Sequence, residues 1–211
     1  MRYTYIIIIF ILFVLIIKFN KILNFFFGNK LKLNYNFYNY KKVYPFLEKL
    51  KKNRSLIIKD INNINFIMWD DWPEKNIYNK DWHILPFRGF GLEIKKNCLR
   101  CPNIYKIIKE FPNLKTALLS RLKSGTKIKP HIGWASLSNH ILRCHYVIYS
   151  NNLCNIIVNN ENKQVNEDDI IIFDDSKLHY AENNGKSDKI VLILDFLRPN
   201  YIKKGLSTVQ N

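Results

Sequence analysis

Acidic residues are scarce in this 211-residue chain: 17 Asp and Glu stand against 33 Lys and Arg, for a formal net charge of +16. Such a balance suits nucleic acid, anionic lipid or simply a lysine-rich genome. No Gly/Arg/aromatic ribonucleoprotein pattern, zinc finger or basic recognition helix is present, so no nucleic-acid partner is expected. The excess of Asn, Ile and Lys runs from end to end, as genome composition would. Cysteines number only four, with Cys98 and Cys101 in a lone C-x-x-C. Neither a second such pair nor a His pair at ligand spacing follows it, which argues against a structural zinc site. No internal repeat appears.

Charge is absent from Tyr3 to Ile17, "YTYIIIIFILFVLII". As a helix this run covers about 22 Å of a hydrocarbon core roughly 30 Å thick. Lys18 and Lys21 can snorkel and "ILNFFFG" resumes the apolar character, so residues 1–28 are expected to form a single-pass transmembrane helix. Cleavage as a signal peptide needs small residues after the apolar run, and between Lys18 and Lys32 only Gly28 qualifies. Met1 to Asp60 holds twelve Lys/Arg against Glu48 and Asp60. Residues 29–60 therefore read as a basic stalk, with a helical stretch near Tyr44 to Lys52. Basic residues cluster after the apolar run and place the domain in the cytoplasm by the positive-inside rule, whereas a sequon at Asn53 would suit the lumen; the side stays open.

Residues 61–203 read as one domain and 204–211 as a tail. "CPNIYKIIKEFP" spaces Ile104, Ile107, Ile108 and Phe111 as one face of a helix closed by Pro112. The period then changes to two. Leu118, Ser120 and Leu122 share a face, as do Arg143, His145, Val147 and Tyr149, and Lys189, Val191, Ile193 and Asp195. At least six short strands separated by Asn- and Gly-containing turns imply a barrel or sandwich.

Three of the five histidines lie in "HIGWASLSNHILRCHYV". His131 follows a proline at a strand start, and His179 comes after the acidic turn of "FDDSKLHY". Two histidines on facing strands, with Ser120, Arg143, His145 and Lys189 also pointing inward, form a polar set that burial tolerates only with partners or a ligand. Asp174 and Asp175 read as turn-capping or supporting residues, Asp195 as the partner of Lys189, His140 as a surface residue, and His83 as structural or on a substrate rim.

From about Trp82 to Pro199, "CPNIYKIIKEFP", "LSRLKSGTKIKPHIG", "LRCHYV", "FDDSKLHYAEN" and "KIVLILDFLRP" together resemble the aspartyl/asparaginyl β-hydroxylase family of iron(II)- and 2-oxoglutarate-dependent dioxygenases. The resemblance implies a mainly β fold, a double-stranded β-helix (cupin-like jelly roll) with a few flanking helices. It implies an Fe(II) site of two histidines, His131 and His179, with Gly133 where related enzymes carry a carboxylate ligand. Arg143 and His145 would approach the keto-acid end of 2-oxoglutarate, with Ser120 and Lys189 at its distal carboxylate. Lys189 departs from the family's usual Arg and loses the bidentate fork.

The activity so implied consumes O2, converts 2-oxoglutarate to succinate and hydroxylates an unactivated C–H bond. An Asp/Asn-type side chain of a protein or peptide is the first expectation for the substrate. A membrane lipid acyl chain is the alternative, and a non-catalytic jelly-roll binding protein is the competing class.

Overall fold

The computed structural model describes Lys18 and residues 32–210. The expected anchor over residues 1–28 lies, apart from Lys18, outside the described residues. Among the described residues no helix is long and apolar enough to cross a membrane. The chain divides into two units, residues 1–34 with 200–203, and residues 35–199 with 204–211. In the first, Leu33 and Ile202 form a parallel bridge, with the Leu33 N–H donating to the Tyr201 carbonyl at 2.9 Å.

The second unit opens with β1 (Phe37–Tyr38) and three short helices, α1 (Tyr40–Val43), α2 (Glu48–Lys52) and α3 (Arg54–Asn62). Then come β2 (Asp70–Asp71), β3 (Trp82–Gly89), β4 (Leu92–Glu93), α4 (Lys95–Arg100) and α5 (Pro102–Ile108). The remainder is nearly all strand: β5 (Leu114–Leu122), β6 (Lys127–His131), one turn of helix α6 (Ala135–Ser138), and β7 (Ile141–Tyr149). It ends with β8 (Cys154–Val158), β9 (Glu161–Gln164), β10 (Ile170–Phe173), β11 (His179–Asn183) and β12 (Lys189–Leu197).

These strands pair antiparallel into two sheets. The larger runs β1-β10-β7-β12-β5-β3-β2 with β4 beside β3, and the smaller runs β6-β11-β8-β9. Alternation puts Leu118, Val147, Ile171, Phe173, Val191 and Ile193 of the large sheet against Ile156 and Val158 of the small one. Each such side chain contributes roughly 1.5–3 kcal/mol by leaving water. The mainly β two-sheet architecture agrees with the period-two reading. The helix expected across Cys101 to Pro112 is α5, with Ile104, Ile107 and Ile108 buried.

Two segments differ from the sequence reading. Residues 35–60, expected within a basic stalk, fold onto the larger sheet. Leu47, Leu50 and Ile57 are essentially inaccessible, and the Tyr44 hydroxyl donates to the Leu197 carbonyl at 2.8 Å. Buried Asp60 accepts from the Ile104 N–H at 2.8 Å and so caps the first turn of α5. Lysines on the outward faces hid this apolar stripe.

The described part of the expected 204–211 tail, residues 204–210, is also tied down. Gly205 and Ala135 donate to the carbonyls of Asn139 and Val209, while the Ser207 hydroxyl donates to the Gly133 carbonyl at 2.6 Å. It runs beside the loop that follows His131.

Candidate active site

His131 ends β6 and His179 begins β11, and the two are paired directly across the small sheet. Their rings face each other with centroids 4.2 Å apart. The Nδ1 of His131 lies 2.9 Å from the Lys129 carbonyl, and that of His179 lies 2.8 Å from the Lys177 carbonyl. A carbonyl only accepts, so each Nδ1 carries the proton and each Nε2 presents a lone pair. Burial lowers the pKa of His131, and burial reinforced by its partner lowers that of His179 well below the usual range. Both rings are neutral, the form that a divalent metal requires.

The loops behind the pair are cross-braced. Arg198, just past β12, donates to Asp174 in the turn before His179 and, at 2.8 Å, to the Ser138 carbonyl beyond His131. The Gly133 N–H donates to the Asp175 carbonyl at 3.0 Å. A Cβ on residue 133 would overlap Asp175 Oδ2, so glycine is required there because the aspartate has taken the space. Asp175 Oδ1 stands 3.4 Å from His179 Nε2. Among the described residues no group of three or more His, Cys, Asp or Glu is arranged as a metal site, and a two-histidine donor set needs none.

Beneath the pair an inner cavity of ≈ 40 Å³ is lined by Ser120, His131, Arg143, His145, His179 and Lys189, among others. Since one water occupies about 10–15 Å³ of such space, a small molecule fits and a polymer does not. All six residues singled out in the sequence are thus brought together. Their charge balance differs from expectation. Arg143 donates to both oxygens of Asp195 at 2.8 and 3.0 Å, and its Nη1 lies 2.6 Å from Asp175 Oδ1, a close ion pair in poor alignment for a hydrogen bond. Burial opposes the Arg143 charge, but the two carboxylates hold it protonated.

Asp195 is therefore the partner of Arg143 and not, as expected, of Lys189, which lies six residues earlier at the other end of β12. Lys189 is buried at 4% exposure and has no hydrogen-bond or ion-pair partner among the described residues. Burial pulls its pKa down to about 8. His145 Nε2 is likewise buried without a partner. Burial, followed by the charges of Lys189 and Arg143, keeps that ring neutral. Ser120 accepts from the Trp82 indole at 2.9 Å, which leaves its own proton available to the cavity. Trp82 was not singled out in the sequence. Its stacking on Trp72, 4.3 Å away, shows why two nearby tryptophans matter.

A wider groove of ≈ 260 Å³ adjoins the cavity, sharing His131 and Arg143. Trp72, Ile84, Phe90, Leu118, Trp134 and Leu137 are among its apolar lining residues. Its two arginines are already engaged, Arg143 as above and Arg88 with Glu93 at 3.0 Å. His83 is buried away from both spaces and bonds Asp71 at 3.0 Å, and His140 is exposed, as expected.

The sequence model of the Aspartyl/Asparaginyl beta-hydroxylase family matches residues 51–199, which include the histidine pair and both unpartnered groups. The chain belongs to this hydroxylase family. Among curated relatives, the ornithine lipid ester-linked acyl 2-hydroxylase of Rhizobium tropici is 31% identical, over 56% of this chain and 42% of its own length. The mouse aspartate beta-hydroxylase domain-containing protein 2 is 26% identical, over 73% of this chain and 48% of its own. The chain spans less than half the length of these two relatives. Solved structures similar to this hydroxylase-family chain include an oxidoreductase of the 2OG-Fe(II) oxygenase family from Burkholderia pseudomallei, with a TM-score of 0.47 and 9% identity over 74% of this chain and 82% of that one. Another is a predicted oxalate decarboxylase from Thermotoga maritima, with a TM-score of 0.42 and 12% identity over 62% and 92%.

Proposed function

We propose that the protein is a membrane-anchored, iron(II)- and 2-oxoglutarate-dependent hydroxylase. The observation that carries this reading is the pairing of two neutral imidazoles, each presenting Nε2, with a buried lysine and histidine that lack partners in the same cavity. An unpaired buried cation is costly, and a small dicarboxylate would compensate it. His131 and His179 would hold the iron, Lys189 and Ser120 the distal carboxylate, and His145 would offer its bare Nε2 to the keto-acid portion. Arg143, already saturated by aspartates, would act on the ligand through Asp175 and steric confinement. Bound iron(II) with O2 and 2-oxoglutarate would supply the oxidising chemistry, releasing succinate and CO2 and placing one oxygen on a substrate carbon.

The groove beside His131 favours a neutral, apolar substrate portion such as a lipid acyl chain. Its walls are largely hydrophobic, and an Asp carboxylate entering it would meet Glu74, Asp175 and Asp195 with no uncommitted arginine. A protein or peptide Asp/Asn side chain is the second reading, consistent with the name of the mouse relative. Anaerobic addition of Fe(II) and 2-oxoglutarate tests the chemistry. A charge-transfer absorption band that His179→Ala abolishes is expected. Its absence in the native protein would leave a non-catalytic jelly-roll module.

A further inference from the structure

We propose that the tip of the β3–β4 hairpin, together with α4, is a docking surface for an anionic lipid bilayer that applies the mouth of the groove to the membrane. Phe90 is 63% exposed, Leu92 77% and Leu99 80%, and Ile94 between them is also exposed. This is a dense set of large apolar side chains to leave in water within ten residues. The turn projects them, because Phe90 and Gly91 both adopt positive φ, 50° and 89°. Phe90 itself lines the groove, so the tip and the groove mouth are one place.

The local charge selects the partner. Lys95, Lys96 and Arg100 are exposed on the same helix, and Leu99 lies one turn from both lysines. The only acid in the stretch, Glu93, is occupied by Arg88 and by the Tyr105 hydroxyl, each at 3.0 Å. Aromatic and aliphatic tips flanked by lysines that can snorkel are the composition of an interfacial membrane contact. A stable protein interface needs about 800 Å² per partner, more than four projecting side chains supply. A bilayer accepts a small wedge and adds attraction of about 1 kcal/mol for each cation near an anionic surface. The inference stands apart from the iron chemistry, since docking needs neither metal nor cosubstrate.

The full chain reconstituted in vesicles provides the test. A nitroxide is placed at Leu92→Cys or Leu99→Cys, with Asn162→Cys on the exposed strand β9 as the control; the four native cysteines are buried and escape labelling. In phosphatidylglycerol/phosphatidylcholine vesicles, the labels at 92 and 99 should collide with oxygen in preference to a water-soluble nickel chelate, and the label at 162 should show the reverse. Lys95→Gln and Lys96→Gln should each lower the docked-to-undocked ratio about fivefold. Phosphatidylcholine alone should leave the tip labels in water. The proposal is overturned if those labels stay aqueous in anionic vesicles, if immersion ignores lipid charge, or if both relaxants are excluded with spin–spin broadening, the signature of a second copy or another protein.

Discussion

His131 and His179 sit opposite one another at the end of the β6–β11 pairing, and each gives its Nδ1 proton to the carbonyl two residues before it. This repeated i−2 bond fixes both tautomers, and the two ring centres stand 4.2 Å apart.

Replacing either histidine by alanine should weaken binding of Co(II), used as a spectroscopic stand-in for Fe(II), by more than the 10–100-fold typical of losing a supporting residue. The visible absorption of the cobalt complex reads the loss. An unchanged titration in His131→Ala would remove that residue from the donor set.

Lys189 should make 2-oxoglutarate affinity depend on pH. Its amine is charged below about 8 and neutral above, so affinity should be level at lower pH and fall about tenfold per unit beyond that. Lys189→Arg should extend the level region, and Lys189→Met should abolish the dependence, as isothermal titration would show. The sign for the ligand-free fold follows from the same depression. Its folded pKa lies below the unfolded 10.5, so stability should rise from pH 8 toward 10.5 and be lost as pH falls through that window. Denaturant midpoints of native protein and Lys189→Met decide this.

Gly133→Ala should destabilise the protein by about 1–3 kcal/mol, because the added methyl overlaps Asp175 Oδ2 and lies 2.8 Å from Ser138 Cβ. Gly133→Asp, which recreates the H-x-D pattern of related oxygenases, should be worse. It should recover part of its stability and gain metal affinity only when Asp175→Ala clears the space. Thermal melts with and without Co(II) separate these outcomes.

Arg143→Met should cost about 3–5 kcal/mol, the usual penalty for stripping one partner from a buried ionic group. It leaves Asp175 and Asp195 together without their cation. Asp195→Asn combined with Arg143→Met should recover much of that loss in urea denaturation.

The inward set of Ser120, Arg143, His145 and Lys189 was legible because β-strand alternation places every second residue on one face, whereas the pairing of His131 with His179 followed from the family resemblance. Which cation meets which carboxylate was not legible. Arg143 and Asp195 are directly opposite across β7 and β12, a register that residue types alone do not specify. The role of Asp175 was hidden for a similar reason, since only the folded chain brings it into the volume left by Gly133. The helical stretch near Tyr44 to Lys52 was legible, but the helix over Arg54–Asn62 and the packing of both onto the sheet were missed, because an apolar spacing of three to four is interrupted by lysines whose charged ends face water.

Trp82 has its indole nitrogen on Ser120 and its ring against both Trp72 and the inner cavity. The protein thus carries its own optical gauge: any guest that recruits the serine hydroxyl also perturbs the indole's electronic environment, so tryptophan emission can report filling of the chamber without an added dye.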